Sequence, residues 1–160
     1  SIFMKCVALK IQNGIAYSGA DIINTHFKKE KEVGQTYYST NVPFDSRREM
    51  EKVLFFFIHQ GIPRYVLADI IKSEFNKTPF TPDDSCKYSP TQYHNIDKKS
   101  WFLIKNMKEV YQDFLDDCFV EYTNGTSEKL LDVINSQSRL NRVYFNKYSL
   151  SVDDENILIK

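Results

Sequence analysis

YYSTNVPFDSRREMEKVLFFFIHQGIPRYVLADII, residues 37–71, is the stretch whose reading decides the fold. At its centre, Val53-Leu54-Phe55-Phe56-Phe57-Ile58 is the most hydrophobic run of the chain. Six consecutive apolar residues, bounded by charge on one side and turn residues on the other, read as a strand buried on both faces. Phe55 and Phe57 are then expected on one face and Phe56 on the other. His59-Gln60-Gly61-Ile62-Pro63 supplies the turn. Residues 65–71, YVLADII, return as a second β-rich run, so the pair reads as a hairpin. Just upstream, residues 45–52 read as a short charged helix that Asp45 or Ser46 caps, with Glu49 near the third helical position.

Outward from this hairpin, residues 3–11 read as a first strand and Asn13-Gly14 as a turn. Residues 20–27 place Ile22, Ile23 and Phe27 on one side of a short amphipathic helix. The charged run 28–32 reads as its solvated end, and Gly34 as its C-terminal glycine. His26 stands alone, with no partner at metal-ligand spacing. Residues 72–100 lack periodicity but carry Phe80, Tyr88, Tyr93 and His94; an aperiodic loop longer than about 15 residues in a small domain is usually functional. Residues 101–104 resume as a strand, and residues 106–111 extend it or form a helical turn. Residues 118–120 are a further apolar patch, 127–134 a capped helix, and 142–145 a late strand. The expectation is an α+β fold: a single twisted, mixed β-barrel flanked by short helices, spanning residues 1–148, with residues 149–160 as a tail or final strand.

The 160 residues suffice for one core without metal or disulfide support. Twelve Phe and ten Tyr lean the composition towards β structure. A formal net charge of zero argues against a chain-wide attraction to polyanions, so contacts with nucleic acid have to come from local patches. Cys6, Cys86 and Cys118 are odd in number and in no paired spacing, and read as free thiols of a cytoplasmic protein. No window reaches the roughly 18 apolar residues of a membrane span. Nucleotide-binding loops, zinc-protease motifs and the hydrolase serine elbow are all missing from the sequence. No catalytic residue, metal ligand or cofactor is assigned; any catalysis is expected in another domain or subunit of a larger chain.

The order of these segments resembles the YTH and EVE branch of the PUA-like superfamily. CVALKI at 6–11, ADIINTHF at 20–27, Tyr38-Ser39-Thr40, SRREMEK at 46–52 and the hairpin VLFFFI…YVLADII come in that family's order. They are followed by SWFLIKNMKEV, SEKLLDVI and RVYF. In YTH domains a Trp-Ser-Thr segment stands where this chain has Tyr38-Ser39-Thr40. The resemblance implies a pocket that reads a flipped-out, modified base in DNA or RNA, as in recognition domains of modification-dependent restriction systems of the McrB type. The base-binding residues are then Tyr37, Tyr38, Ser39, Thr40, Asn41, Tyr93 and Trp101.

The chemistry of that cluster points the same way without the family. Bases are recognised by stacking on aromatic faces and by hydrogen bonds to their edges, and residues 37–41 gather rings, hydroxyls and an amide. Phosphate contacts are expected from Arg47, Arg48, Arg64, Lys98, Lys99, Arg139 and Arg142, all beside predicted strands. A second class of function stays open: a protein-interaction or small-ligand module on the same scaffold, with no nucleic acid partner.

Overall fold

A computed structural model of the chain describes residues 3–136 and 141–148. In chain order it contains β1 (Phe3–Lys10), α1 (Gly19–Val33), β2 (Thr36–Thr40), β3 (Lys52–His59), β4 (Ile62–Phe80), α2 (Ser85–Tyr88) and a 3-10 turn (Thr91–Tyr93). There follow β5 (Lys98–Val110), α3 (Gln112–Leu115), β6 (Cys118–Glu121), β7 (Ser127–Lys129), α4 (Leu130–Ser136) and β8 (Arg142–Tyr148). The eight strands form one mixed sheet in the order β2-β5-β4-β3-β1-β8-β6-β7. Among the described residues only the β1–β3 pair is parallel, and the other ladders are antiparallel. The sheet is open. Among the described residues no ladder joins β2 to β7, so the closed barrel expected from the sequence is not made by strand pairing.

The central hairpin is where the sequence places it. β3 pairs with β4 from Lys52↔Asp69 to His59↔Ile62. Gln60 and Gly61 turn the chain with φ of 51° and 76°, the left-handed pair of a two-residue hairpin turn, where glycine removes the Cβ clash. Phe55, Phe56 and Phe57 are 0, 9 and 3% exposed. Phe55 and Phe57 join Val7, Leu9, Val66 and Phe102 under α1. Phe56 joins Leu54, Tyr65 and Leu67 on the opposite face, closed by Leu115, Leu130 and Val133. Period-two alternation in a strand with a layer on each side requires this division.

α1 seats on the sheet at its first turn. Ser18 Oγ accepts from the Asp21 amide at 3.1 Å and the Asp21 carboxylate accepts from the Ser18 amide at 3.0 Å, a reciprocal cap. A Cβ at Gly19 would stand 2.9 Å from Phe57 Cβ and 3.2 Å from the Ile11 carbonyl oxygen, so only glycine lets the helix approach β3 this closely. At the other end, α1 stops at Gly34, as the sequence indicates. Glu30, expected in a solvated run, instead accepts from the Met107 amide at 3.0 and 3.2 Å. That amide is free because β5 bulges at Asn106, whose φ is 54°.

Three other local expectations give way to tertiary structure. Residues 45–52 form no helix. Asp45 Oδ1 accepts from the Arg47 amide and the Asp45 carbonyl from the Arg48 amide, closing a turn. The Glu51 amide then donates to the Lys5 carbonyl, drawing the segment alongside β1. The long loop is shorter than read, because β4 continues to Phe80 against β5. Residues 127–129 pair with β6 as β7, so the last helix starts at Leu130. Phe56→Ala is expected to destabilise the domain by about 3–5 kcal/mol. Ile58→Ala, at a side chain 53% exposed, should change stability by no more than about 0.5 kcal/mol. Urea unfolding of both variants checks the pair.

Candidate nucleic-acid interface

The aromatic residues named from the sequence are divided between the two faces of the sheet. Tyr37 and Trp101 are 1 and 0% exposed and meet edge-to-face at 5.6 Å, with Leu103 beside them. The Trp101 indole N–H donates to the Phe80 and Lys98 carbonyls at 2.8 and 3.1 Å. The Tyr37 hydroxyl donates to Asp84 at 2.8 Å and Thr36 Oγ1 to the Tyr88 carbonyl at 3.0 Å. Burial, then the bond to Asp84, pushes the Tyr37 hydroxyl well above the usual phenol range. These contacts fasten the segment after β4 to β2.

Tyr38 points the other way, 4.7 Å from Phe55 and 5.3 Å from His26, and Tyr93 also lies 5.3 Å from His26. Ser39 and Thr40 lie opposite Trp101 and Ser100. Thr40 Oγ1 accepts from the Val42 amide and Asn41 Oδ1 from the Lys99 amide, both at 3.2 Å. The seven residues therefore do not share one cavity: they build two packed aromatic clusters and the turn that leaves β2.

The basic residues part company as well. Arg64 is bound to Glu109 through two bonds of 2.8 Å and lines a separate groove with Ile62 and Tyr111. Lys98 opens β5, and Arg139 lies outside the described residues. Arg47, Arg48, Arg142 and Lys99 gather around the loop of residues 41–51. This loop is held from β8, whose Arg142 donates to the Pro43 carbonyl and whose Tyr144 hydroxyl accepts from the Asp45 amide at 3.2 Å.

On one side of the loop opens a cleft of about 500 Å³, lined by Lys5, Arg47, Arg48, Tyr122, Tyr144 and Asn146 among others. The Arg48 guanidinium lies 4.5 Å from the Tyr144 ring centroid, and Arg142 lies 5.2 Å from the same ring. Other charges at this cleft are engaged: Lys5 with Glu49, Arg47 with Asp45, and Glu121 with the Tyr148 hydroxyl. The Arg47 pairing holds the Asp45 carboxyl below its usual range. Arg48 makes no ion pair among the described residues. On the other side of the loop Phe44 stacks on Phe75 at 5.2 Å and meets Tyr144 edge-on at 6.4 Å.

Phe44, Phe75 and Tyr144 are the functional candidates that sequence reasoning missed. The signal was a lone Phe after Pro43 in a polar loop, and another among the polar residues of β4. Among the described residues there is no cluster of His, Cys, Asp and Glu suited to a metal ion, and no helix long and apolar enough to cross a membrane. Cys6, Cys86 and Cys118 are free thiols. Burial pushes Cys6 and Cys118 up to about 12, which leaves them as unreactive core residues. No protein-family model matches the chain, and no curated protein or solved structure matches it.

His26 is 2% exposed and donates from Nδ1 to the Ile22 carbonyl at 2.6 Å. Burial lowers its pKa to about 4, against 6.5 for an unperturbed imidazole. The unfolded chain thus binds a proton more readily than the folded one. The stability carried by neutral His26 is complete above pH 6.5 and is lost as the pH falls towards 4. At about pH 5 the loss should be about 2 kcal/mol. Melting curves near neutrality and near pH 5 should show a smaller pH-dependent drop for His26→Gln than for the parent; equal drops would contradict the assignment.

Proposed function

We propose that this domain binds nucleic acid on the surface built around residues 41–51. The observation that carries the reading is the Arg48 guanidinium lying over Tyr144, with no ion pair among the described residues, at a cleft of nucleotide size. A guanidinium held over a ring without an ion pair keeps N–H donors for a phosphate. Arg142 adds a second cation on the same ring while fixing the loop through the Pro43 carbonyl. The cleft also offers the Asn146 amide and the Thr123 hydroxyl as groups able to meet a base edge.

The likeness to YTH and EVE domains belongs to the same proposal, and with it the closed PUA-like barrel, a modified base as preferred ligand, and a role as the specificity module of a larger restriction or defence protein. What supports these is the order of sequence segments and, for the scaffold alone, the parallel pairing of β1 with β3 between the antiparallel β1–β8 ladder and the β3–β4 hairpin. The competing reading, a protein-docking module, draws on Ile58, Ile62 and Tyr111, which are 53, 63 and 66% exposed around the hairpin tip.

Fluorescence anisotropy with labelled DNA and RNA oligonucleotides, modified and unmodified, tests the proposal. Arg48→Ala should weaken binding to all sequences alike and reduce the salt slope by about 0.7 to 0.9, one lost phosphate contact. Arg64→Ala, at the separate groove, should leave affinity and slope unchanged. Equal effects from the two substitutions, or no oligonucleotide binding by the parent, would overturn the reading.

A further inference from the structure

We infer that the face of the loop opposite Arg48 is a second nucleotide subsite, and that the ligand is consequently single-stranded. This rests on the nucleic-acid reading and adds the strand class. The second cleft, of about 270 Å³, is lined by Phe44, Phe75, Asn76, Lys77 and Lys99, with Pro43, Ser46 and Ser100 at its margins. No carboxylate is among these residues. Lys77 and Lys99 make no ion pair among the described residues, in a chain whose formal charge is zero. Two aromatic rings beside two uncommitted ammonium groups fit a base and its phosphate, and equally any base, since stacking does not depend on sequence.

The geometry joins the two clefts. Phe44 is stacked on Phe75 at 5.2 Å and touches Tyr144 at 6.4 Å, and Arg142 lies over both Phe44 and Tyr144, at 5.5 and 5.2 Å. Rings and cations thus follow one another from Lys99 past the stacked Phe75–Phe44 pair and Arg142 to Tyr144 and Arg48, an arrangement suited to a backbone with its bases unstacked. A duplex keeps its bases stacked inside and, even with one base flipped out, offers none to the second cleft. The platform is held rigidly: Ser100 Oγ donates to the Val42 carbonyl at 2.8 Å, and Asn41 holds the Lys99 amide.

Anisotropy titrations with single-stranded oligo-dT, oligo-U and a DNA duplex of equal length test this, using the parent, Phe75→Ala and the double variant Lys77→Ala/Lys99→Ala. The single strands should bind at least about tenfold more tightly than the duplex. Phe75→Ala should lose about tenfold, in the range for one stacked base. The double variant changes only lysine side chains, so its fold is not at issue, and it should lower the salt slope by about 1.4 on a single strand. Comparing oligo-dT with oligo-U separates a DNA from an RNA ligand without bearing on the strand class. If Arg48→Ala weakens binding while both second-cleft variants match the parent, or if the duplex binds as well as the single strands, the subsite is overturned and the first reading stands. If no oligonucleotide binds, both fall.

Discussion

The structure depends on β3 being buried on both faces. A strand reading Val-Leu-Phe-Phe-Phe-Ile cannot leave either side in water, so the fold has to bring a layer to each. α1 covers Phe55 and Phe57, and α3 and α4 cover Leu54 and Phe56. Seating α1 needs Gly19, since any side chain there would collide with Phe57. Capturing its far end uses a bulge in β5, which releases the Met107 amide to Glu30. With both faces of the central sheet occupied, surface for a ligand is left where strands end and loops begin. The loop of residues 41–51, crossing from β2 to β3 and tied to β8, is one such place.

That loop also explains how a chain of zero formal charge can present a cationic surface. Among the described residues, seven acids sit next to a base that offsets their charge. Lys52 pairs with Asp69, Arg64 with Glu109 and Lys147 with Asp117. Arg47 is likewise consumed by Asp45, and Lys5 by Glu49. Exposed pairs of this kind contribute little to stability, but they remove charge from the field a ligand meets. What is left beside the loop is Arg48, Arg142, Lys77 and Lys99, interleaved with Phe44, Phe75 and Tyr144. The short-range field follows from which cations are unpaired, and net charge does not report it.

The hairpin was legible because its signal is strong and local: six apolar residues, a Gln-Gly turn and a β-rich return. The predicted helix at 45–52 failed because its capping residues found nearer partners. Asp45 closes a turn on Arg47, and Glu51 is drawn into pairing with Lys5 of β1, 46 residues away in sequence. Propensity has no access to a partner at that distance. β4 was cut short because its outer half sets only Phe75 and Phe80 among polar residues and a proline, which resembles a loop until β5 is known to lie beside it.

The candidate site was legible in part. Arg48 and Arg142 were recognisable as cations beside strands, but the Tyr144 ring that both lie over comes from the far end of the chain. Asp45 and Tyr144, which latch the loop, are 99 residues apart. Tyr37, Tyr38 and Trp101 drew attention as a dense aromatic group, and the fold uses Tyr37 and Trp101 to close one face while Tyr38 packs under α1 on the other. Adjacent residues of a strand point to opposite faces, so the period of two already separated Tyr37 from Tyr38. The most direct measurement of the central claim is an amide chemical-shift titration of the labelled domain with a single-stranded oligonucleotide. The account predicts shifts concentrated at residues 42–48, 75–77, 99–100 and 142–146, with the amides of the Ile62–Tyr111 groove unmoved. Shifts confined to that groove, or none at saturating oligonucleotide, would contradict it.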